Sequence, residues 1–329
     1  MKKITIIAIR NTIATTVFGP MDVFYQTGLL WNQIQGLPPT PYFDVEIVSI
    51  DGNPVRCLNN VLIHPHRSIE EVSETDIIFI PSITNVEKTI KYSRPILTWL
   101  VDHYQWGASI ASVCSGTFFL AETGLLDGKT ATIHWGSVDR FRQMYPKVNL
   151  KPERLITDEG DLFCAGALAA AIDLPVYLTE KYFGHDVAIQ SSKALVHDMN
   201  RSSQTPYTVF QFQKEHTDEA IKVSQQWIEE NYTQGFDFDE VSKKLGMSRR
   251  TFERRFKKAT GDTPLAYLQR TRVEAAKRML ERNNGTFDEI CYQLGYENSS
   301  HFRELFKKHT RLLPTEYQKK FSIAGQAYY

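Results

Sequence analysis

The chain has 329 residues, with 38 basic and 38 acidic side chains and a formal net charge of zero. That length is too great for one ordinary domain and comfortable for two. The neutral total hides an asymmetry: residues 1–217 carry 18 basic against 22 acidic side chains, and residues 218–329 carry 20 against 16. Only the C-terminal part is basic, the division expected between a sensing domain and one that meets nucleic acid. Cys57, Cys114, Cys164 and Cys291 are widely spaced, in no paired motif and at no metal-ligand spacing. A reduced, cytoplasmic chain without metal or cofactor is therefore expected. No stretch is long and apolar enough to cross a bilayer, so no membrane partner is expected.

At the N-terminus, Met1-Lys2-Lys3 followed by ITIIAI superficially resembles a secretory signal. The apolar run is short, Arg10 follows, and no convincing small-residue cleavage site is present, so a first buried strand is the better reading. Apolar runs at residues 4–9, 45–50, 77–80 and 108–113 read as buried strands, with helical patterns around 21–30 and 95–104 between them. This alternation predicts an α/β sandwich with a mostly parallel sheet. Pro38-Pro39-Thr40-Pro41 is a stiff loop before the second strand.

In Ala111-Ser112-Val113-Cys114-Ser115-Gly116 an apolar strand ends in cysteine and small residues, then enters a helix over 117–122. A nucleophile elbow needs this layout, because small neighbours permit the sharp turn and a helix N-terminus lowers a thiol pKa. The competing reading is a cysteine packed in the core. His134 follows twenty residues later; it either approaches the sulfur or is a buried histidine satisfied by a backbone group. Residues 199–217, with Ser202-Ser203 and Pro206, read as a linker and hinge between a domain over 1–198 and one over 218–322.

That last segment contains one sentence twice. DEVSKKLGMSRRTFERRFKKATGDTP begins at Asp239 and DEICYQLGYENSSHFRELFKKHTRLLP at Asp288, 49 residues later, the offset becoming 50 after Gly295. Each copy has a short helix with Val241 and Leu245, or Ile290 and Leu294, at helical spacing, then Gly246 or Gly295. Glycine suits the left-handed position past a helix end. A cap-type residue then opens a second helix: Ser248 in the first copy, Asn298 or Ser299 in the second. Helix, tight turn and helix make a helix-turn-helix unit. The second helices are anchored by Phe252 and Phe256, or Phe302 and Phe306, four apart on one face. Opposite them lie Arg249, Arg250, Glu253, Arg254, Lys257 and Lys258 in copy one, and Ser299, Ser300, Arg303, Glu304 and Lys307 in copy two. An apolar back with a cationic front fits a DNA major groove; the alternative for either helix alone is an ordinary solvated face. Between the copies, residues 267–280 read as one long helix that holds two reading heads about 34 Å apart, one DNA turn.

Residues 218 to about 320 resemble the DNA-binding domain of the AraC/XylS family of bacterial transcription regulators. The match rests on Leu245-Gly246-Met247-Ser248, Phe252, Arg255-Phe256-Lys257-Lys258, Gly261, Pro264, Tyr267, the Arg272 to Leu280 segment, Ile290, Leu294-Gly295-Tyr296, Phe302, Phe306-Lys307-Lys308, Pro314 and Tyr317. By position the resemblance implies base-facing roles for Arg249, Arg250, Glu253 and Arg254, and for Ser299, Ser300, Arg303 and Glu304. Arg311 departs from the family's glycine, which implies a less regular second turn or an added phosphate contact.

Residues 3–207 resemble the PfpI-like branch of the class I glutamine amidotransferase superfamily, specifically the sensor domain of GlxA-type regulators. The match rests on Gly19-Pro20 with Asp22-Val23-Phe24, Val113-Cys114-Ser115-Gly116, the stretch from Leu120 to Gly128, Thr132-Ile133-His134-Trp135, and Ala165-Gly166 to Ile172-Asp173; Gln204-Thr205-Pro206-Tyr207 is similar to the segment before the DNA-binding half. The resemblance implies a flavodoxin-like, amidotransferase-like fold. Enzymatic relatives place an acid four residues before the proline matching Pro20, where this chain has Thr16. Without that acid a Cys-His-acid relay is unsupported. The expectation is thus a non-catalytic regulator that binds double-stranded promoter DNA as a homodimer and takes a small-molecule effector near Thr16, Cys114, Ser115 and His134. The rival expectation is a cysteine-dependent hydrolase or hydratase with a helical appendage.

Overall fold

The computed structural model describes residues 1–322. The chain divides into a unit over Met1–Gln204 and a second that begins at Thr205. In the first, seven strands form one sheet: β1 (Lys2–Ile7), β2 (Phe43–Ser49), β3 (Arg67–Ser68), β4 (Ile77–Ile80), β5 (Ser109–Val113), β6 (Ile156–Asp158) and β7 (Leu162–Ala165), in the order β6-β7-β5-β4-β1-β2-β3. Every pairing is parallel except β6 with β7. The aliphatic runs are explained by burial on both faces. Ile78 and Ile80 join one core, and Ile77 and Phe79 the other.

Helices cover both faces. On one lie α1 (Thr15–Gln26) and α4 (Ala170–Phe183), through Val17, Phe24, Leu174 and Leu178, with α5 (His185–Leu195) packed on α4. On the other lie α2 (Arg94–Gln105) and α3 (Gly116–Glu122), through Ile96, Leu100, Phe118 and Phe119. This is the predicted α/β sandwich. Strands β1, β2, β4 and β5 follow the sequence reading within two residues, whereas β3, β6, β7, α4 and α5 lie where the sequence suggested no elements.

Among the described residues, the second unit is built of helices: α6 (Glu219–Asn231), α7 (Phe238–Lys244), α8 (Arg249–Thr260), α9 (Pro264–Glu281), α10 (Phe287–Gln293), α11 (Ser299–Thr310) and α12 (Pro314–Phe321). It has two small cores, one around Phe252 and Phe256 and one around Phe302 and Phe306. Helix α9, about 27 Å long at the standard rise, gives Tyr267 and Leu268 to the first and Val273, Ala276 and Leu280 to the second. The repeat runs into its third helix. Tyr267 meets Phe256 edge-on at 5.4 Å, and Tyr317 meets Phe306 edge-on at 5.4 Å. Each buried tyrosine donates its hydroxyl at 2.7 Å to a glutamate, Glu229 or Glu281.

Residues 199–217 are shared between the units. Gln204 is buried in the first. Pro206 and Phe210 are buried in the second, where Lys277 Nζ donates to the Thr208 carbonyl and Gln225 Nε2 donates to that of Gln213 at 3.0 Å. The linker reading weighed the serines and the proline; it overlooked Phe210, whose ring finds Tyr267 at 5.2 Å and the Arg270 guanidinium at 4.2 Å.

Candidate nucleic-acid interface and sensor crevice

In each helix-turn-helix unit the turn is set by local chemistry. Gly246 has φ +67° and Gly295 +77°, the left-handed region that closes a helix. Gly295 carries a second constraint: a Cβ there would stand 2.5 Å from the Thr233 carbonyl oxygen. Ser248 Oγ then accepts the Thr251 amide hydrogen at 3.3 Å, and Asn298 Oδ1 accepts that of His301 at 3.0 Å. Asn298 is therefore the second cap, and Ser299 opens the helix. Phe252, Phe256, Phe302 and Phe306 are fully buried, each contributing about 1.5–3 kcal/mol by burial.

The face opposite those anchors is uneven. Arg250, Arg254, Lys257 and Lys258 are exposed on α8 and, among the described residues, have no ion-pair partner. Arg249 is half-buried: its Nε donates to Glu253 at 2.6 Å, its Nη1 lies 3.6 Å from Asp239, and its guanidinium sits over Phe238 at 5.2 Å. On α11, Ser300, Glu304 and Lys307 are exposed, as is His301, while Ser299 is half-buried. Arg303 is half-buried, 3.6 Å from Asp288 and 5.4 Å over Phe287. Thus each copy ties one arginine back to the Asp and Phe that open its first helix, from positions one helical turn apart.

Three residues hold this frame: Arg255 and Arg272 entered the sequence reading only as matched positions with no role, and Asp218 did not enter it. Arg255 pairs bidentately with Asp218, at 2.9 and 2.7 Å, and Asp218 caps α6. Arg272, 8% exposed, donates to the carbonyls of Tyr232 at 2.7 Å and Gln234 at 2.8 Å and lies 4.9 Å over Tyr296 in the second turn. The signal was present as basic residues inside apolar-patterned segments, but long-range pairing leaves no spacing to read. Arg311 adopts the left-handed conformation with φ +62°, beside +80° for Gly261. The two turns match in detail: the residue at each helix end donates its amide to the lysine carbonyl four back, at 2.8 and 2.9 Å. The second turn is as regular as the first, and the expected irregularity is corrected.

In the α/β unit, Cys114 sits at the end of β5 with φ +54°, the strained elbow the sequence suggested. The turn needs Gly116, where a Cβ would stand 2.5 Å from the Pro81 carbonyl oxygen. Around the thiol lies a cluster of hydroxyls. Ser82 Oγ and Ser115 Oγ are 2.9 Å apart, and the Ile83 amide donates to Ser115 Oγ at 2.9 Å. Thr16 Oγ1 accepts the Ser82 amide hydrogen at 3.0 Å and donates to the Ile13 carbonyl at 2.7 Å. Asp22 is exposed.

Burial pushes the Cys114 thiol above its ordinary range, against the smaller effects of hydrogen bonds from Ser82 and Ser115. The elbow here carries a protonated thiol. His134 is half-buried, and burial lowers its pKa; its Nδ1 accepts the Gly136 amide hydrogen at 3.1 Å, which leaves the proton of the neutral ring on Nε2. Gln204 holds the backbone on either side of that histidine. Its Nε2 donates to the Ile133 carbonyl at 2.8 Å, and its Oε1 accepts the Trp135 amide hydrogen at 3.1 Å.

Residues 2–180 match the DJ-1/PfpI family, and residues 241–320 match a helix-turn-helix domain. Among curated relatives, the HTH-type transcriptional regulator CdhR of Pseudomonas aeruginosa is 25% identical over 272 residues, 82% of this chain and 80% of that one. The isonitrile hydratase of Pseudomonas putida is 28% identical over 171 residues, 49% of this chain and 72% of that one. A solved AraC family transcriptional regulator from Pseudomonas putida superposes with a TM-score of 0.51 at 18% identity, covering 59% of this chain and all of that one, a likeness of fold. The chain belongs to the DJ-1/PfpI family and joins that fold to an AraC-type helix-turn-helix domain.

Proposed function

We propose that this protein is a sequence-specific transcription regulator that grips promoter DNA through α8 and α11 and is regulated by a small polar metabolite held in the crevice of its α/β unit. The observation that carries the DNA reading is the repeated Tyr–Phe anchor behind each second helix, which leaves the cations of α8 facing solvent without ion-pair partners among the described residues. Arg250, Arg254 and Ser300 are the base-facing side chains; Lys257, Lys258 and Lys307 meet phosphates; Glu304 faces the bases too. Arg249, Glu253, Ser299 and Arg303 brace those helices from their half-buried positions. Cys114, Ser115, Thr16 and His134 surround the effector, and a homodimer built on the α/β unit sets the spacing of half-sites.

The rival reading, a cysteine hydrolase or hydratase, draws support from the elbow and from the likeness to isonitrile hydratase. Against it stand the raised thiol and the Thr16 hydroxyl, whose proton is committed to Ile13. Footprinting on DNA upstream of its own and neighbouring genes, with and without candidate metabolites, tests the regulator. Loss of preference over scrambled duplex in every condition would overturn it. Turnover of a substrate that Cys114→Ser abolishes, with DNA binding and effector response untouched, would install the enzyme instead.

A further inference from the structure

The last residue of the α/β unit also grips the loop that carries His134. Gln204 is 2% exposed, and its side-chain amide pairs like a backbone strand with Ile133 and Trp135, flanking His134. Its Nε2 also lies 3.3 Å from Thr132 Oγ1 and from the Arg154 carbonyl. The slot is tight on its far side: a Cβ on Gly166 would stand 2.3 Å from Gln204 Nε2. The next residue, Thr205, belongs to the helical unit and opens a 3-10 turn over Thr205–Tyr207. That turn leads directly to Thr208, whose carbonyl receives Lys277 of α9. Anchors on either side of the boundary are thus four residues apart in the chain.

We infer that Gln204 is the positioning residue through which occupancy of the crevice is communicated to the DNA-binding unit. This rests on the reading of the Cys114–His134 crevice as the effector pocket. A ligand that displaces the His134 loop must move the Ile133 carbonyl and the Trp135 amide. Those groups are bonded to a side chain one peptide bond from the helical unit. A ligand shifts a conformational equilibrium only by its differential affinity for two states. Here the two states differ in whether the Gln204 amide is seated beside Gly166.

The test uses the full-length protein and N-ethylmaleimide as an artificial occupant on Cys114, the other three cysteines being buried. The DNA is a duplex selected from a random library by the unlabelled protein. Labelling is expected to change wild-type affinity for that duplex severalfold and to raise hydrogen exchange at the Trp135 amide. Gln204→Met, of similar length without the amide, should bind the duplex within about twofold of wild type when unlabelled, yet show no change on labelling. Gly166→Ala, which crowds the amide from the other side, should uncouple in the same way. A wild-type chain indifferent to labelling, or two variants that respond as wild type does, would overturn the inference while selective DNA binding stands. Failure of the wild-type chain to select any duplex strikes instead at the regulator itself.

Discussion

The Thr16 hydroxyl accepts the Ser82 amide hydrogen at 3.0 Å and spends its own proton on the Ile13 carbonyl. A hydroxyl engaged on both sides in this way is not a group that stores a thiol proton as a carboxylate does. With the thiol raised by burial, the thiolate that attacks an electrophile is scarce at neutral pH. Cys114 should react slowly with iodoacetamide at pH 7, its rate still climbing beyond the ordinary cysteine pKa of about 8.5. A rate already on its plateau by pH 7.5 would contradict this and return the residue to the nucleophiles.

The cations of α8 divide by what already holds them. Arg250 and Arg254 are exposed, so Arg250→Ala and Arg254→Ala should each weaken specific binding by about 1–3 kcal/mol if they pair with bases, and should relax preference at one position. Arg249 is occupied by Glu253 and the Phe238 ring. Arg249→Ala should cost thermal stability as well as affinity, with its loss spread evenly over all sequences. Competition binding on promoter and random duplex separates the cases: equal losses on both would make Arg250 and Arg254 phosphate contacts.

Lys257 and Lys258 lie in the last turn of α8, exposed. If each neutralises one phosphate, replacing either with glutamine should lower the slope of log affinity against log salt by about 0.9, while base preference stays the same. A titration between low and moderate salt measures it. An unchanged slope removes that lysine from the backbone contacts.

Much of this was legible in the sequence because it is periodic. The strands of the α/β unit announce themselves as aliphatic runs, and the helix-turn-helix units as spaced phenylalanines, glycine and cap. The elbow was legible because only small residues permit it. What escaped was fixed by contacts distant in sequence. Nothing around Gln204 says that its amide will bracket His134, seventy residues earlier. Nothing near Arg249 or Arg303 says that each stacks on the phenylalanine opening the preceding helix. Those two were read from their outward positions; in the structure each is half-buried, which spacing alone does not encode. The place of Phe210 is illegible for the same reason, since its ring finds Tyr267 of α9, 57 residues later.

Arg311 offers a final test, because the structure separates its backbone from its side chain. Its φ of +62° is a conformation that costs an L-residue roughly 1–2 kcal/mol and costs glycine nothing. Glycine also loosens the unfolded chain, which offsets part of that gain. Arg311→Gly should therefore stabilise the helical unit by about 0.5–1 kcal/mol, seen as a higher denaturant midpoint at unchanged slope. Arg311→Ala keeps the strain and loses only an exposed side chain, so its midpoint should stay within about 0.5 kcal/mol of wild type. Gly261→Ala, at the matching place in copy one with φ +80°, should move the other way by about 1 kcal/mol. If alanine and glycine at 311 stabilise alike, the penalty lies in the arginine side chain and the conformational argument fails. A residue that keeps such a strain is expected to serve the ligand. Arg311→Gly should then weaken DNA binding and flatten its salt dependence by about one phosphate; equal affinity at every salt concentration would leave the strain without a use in binding.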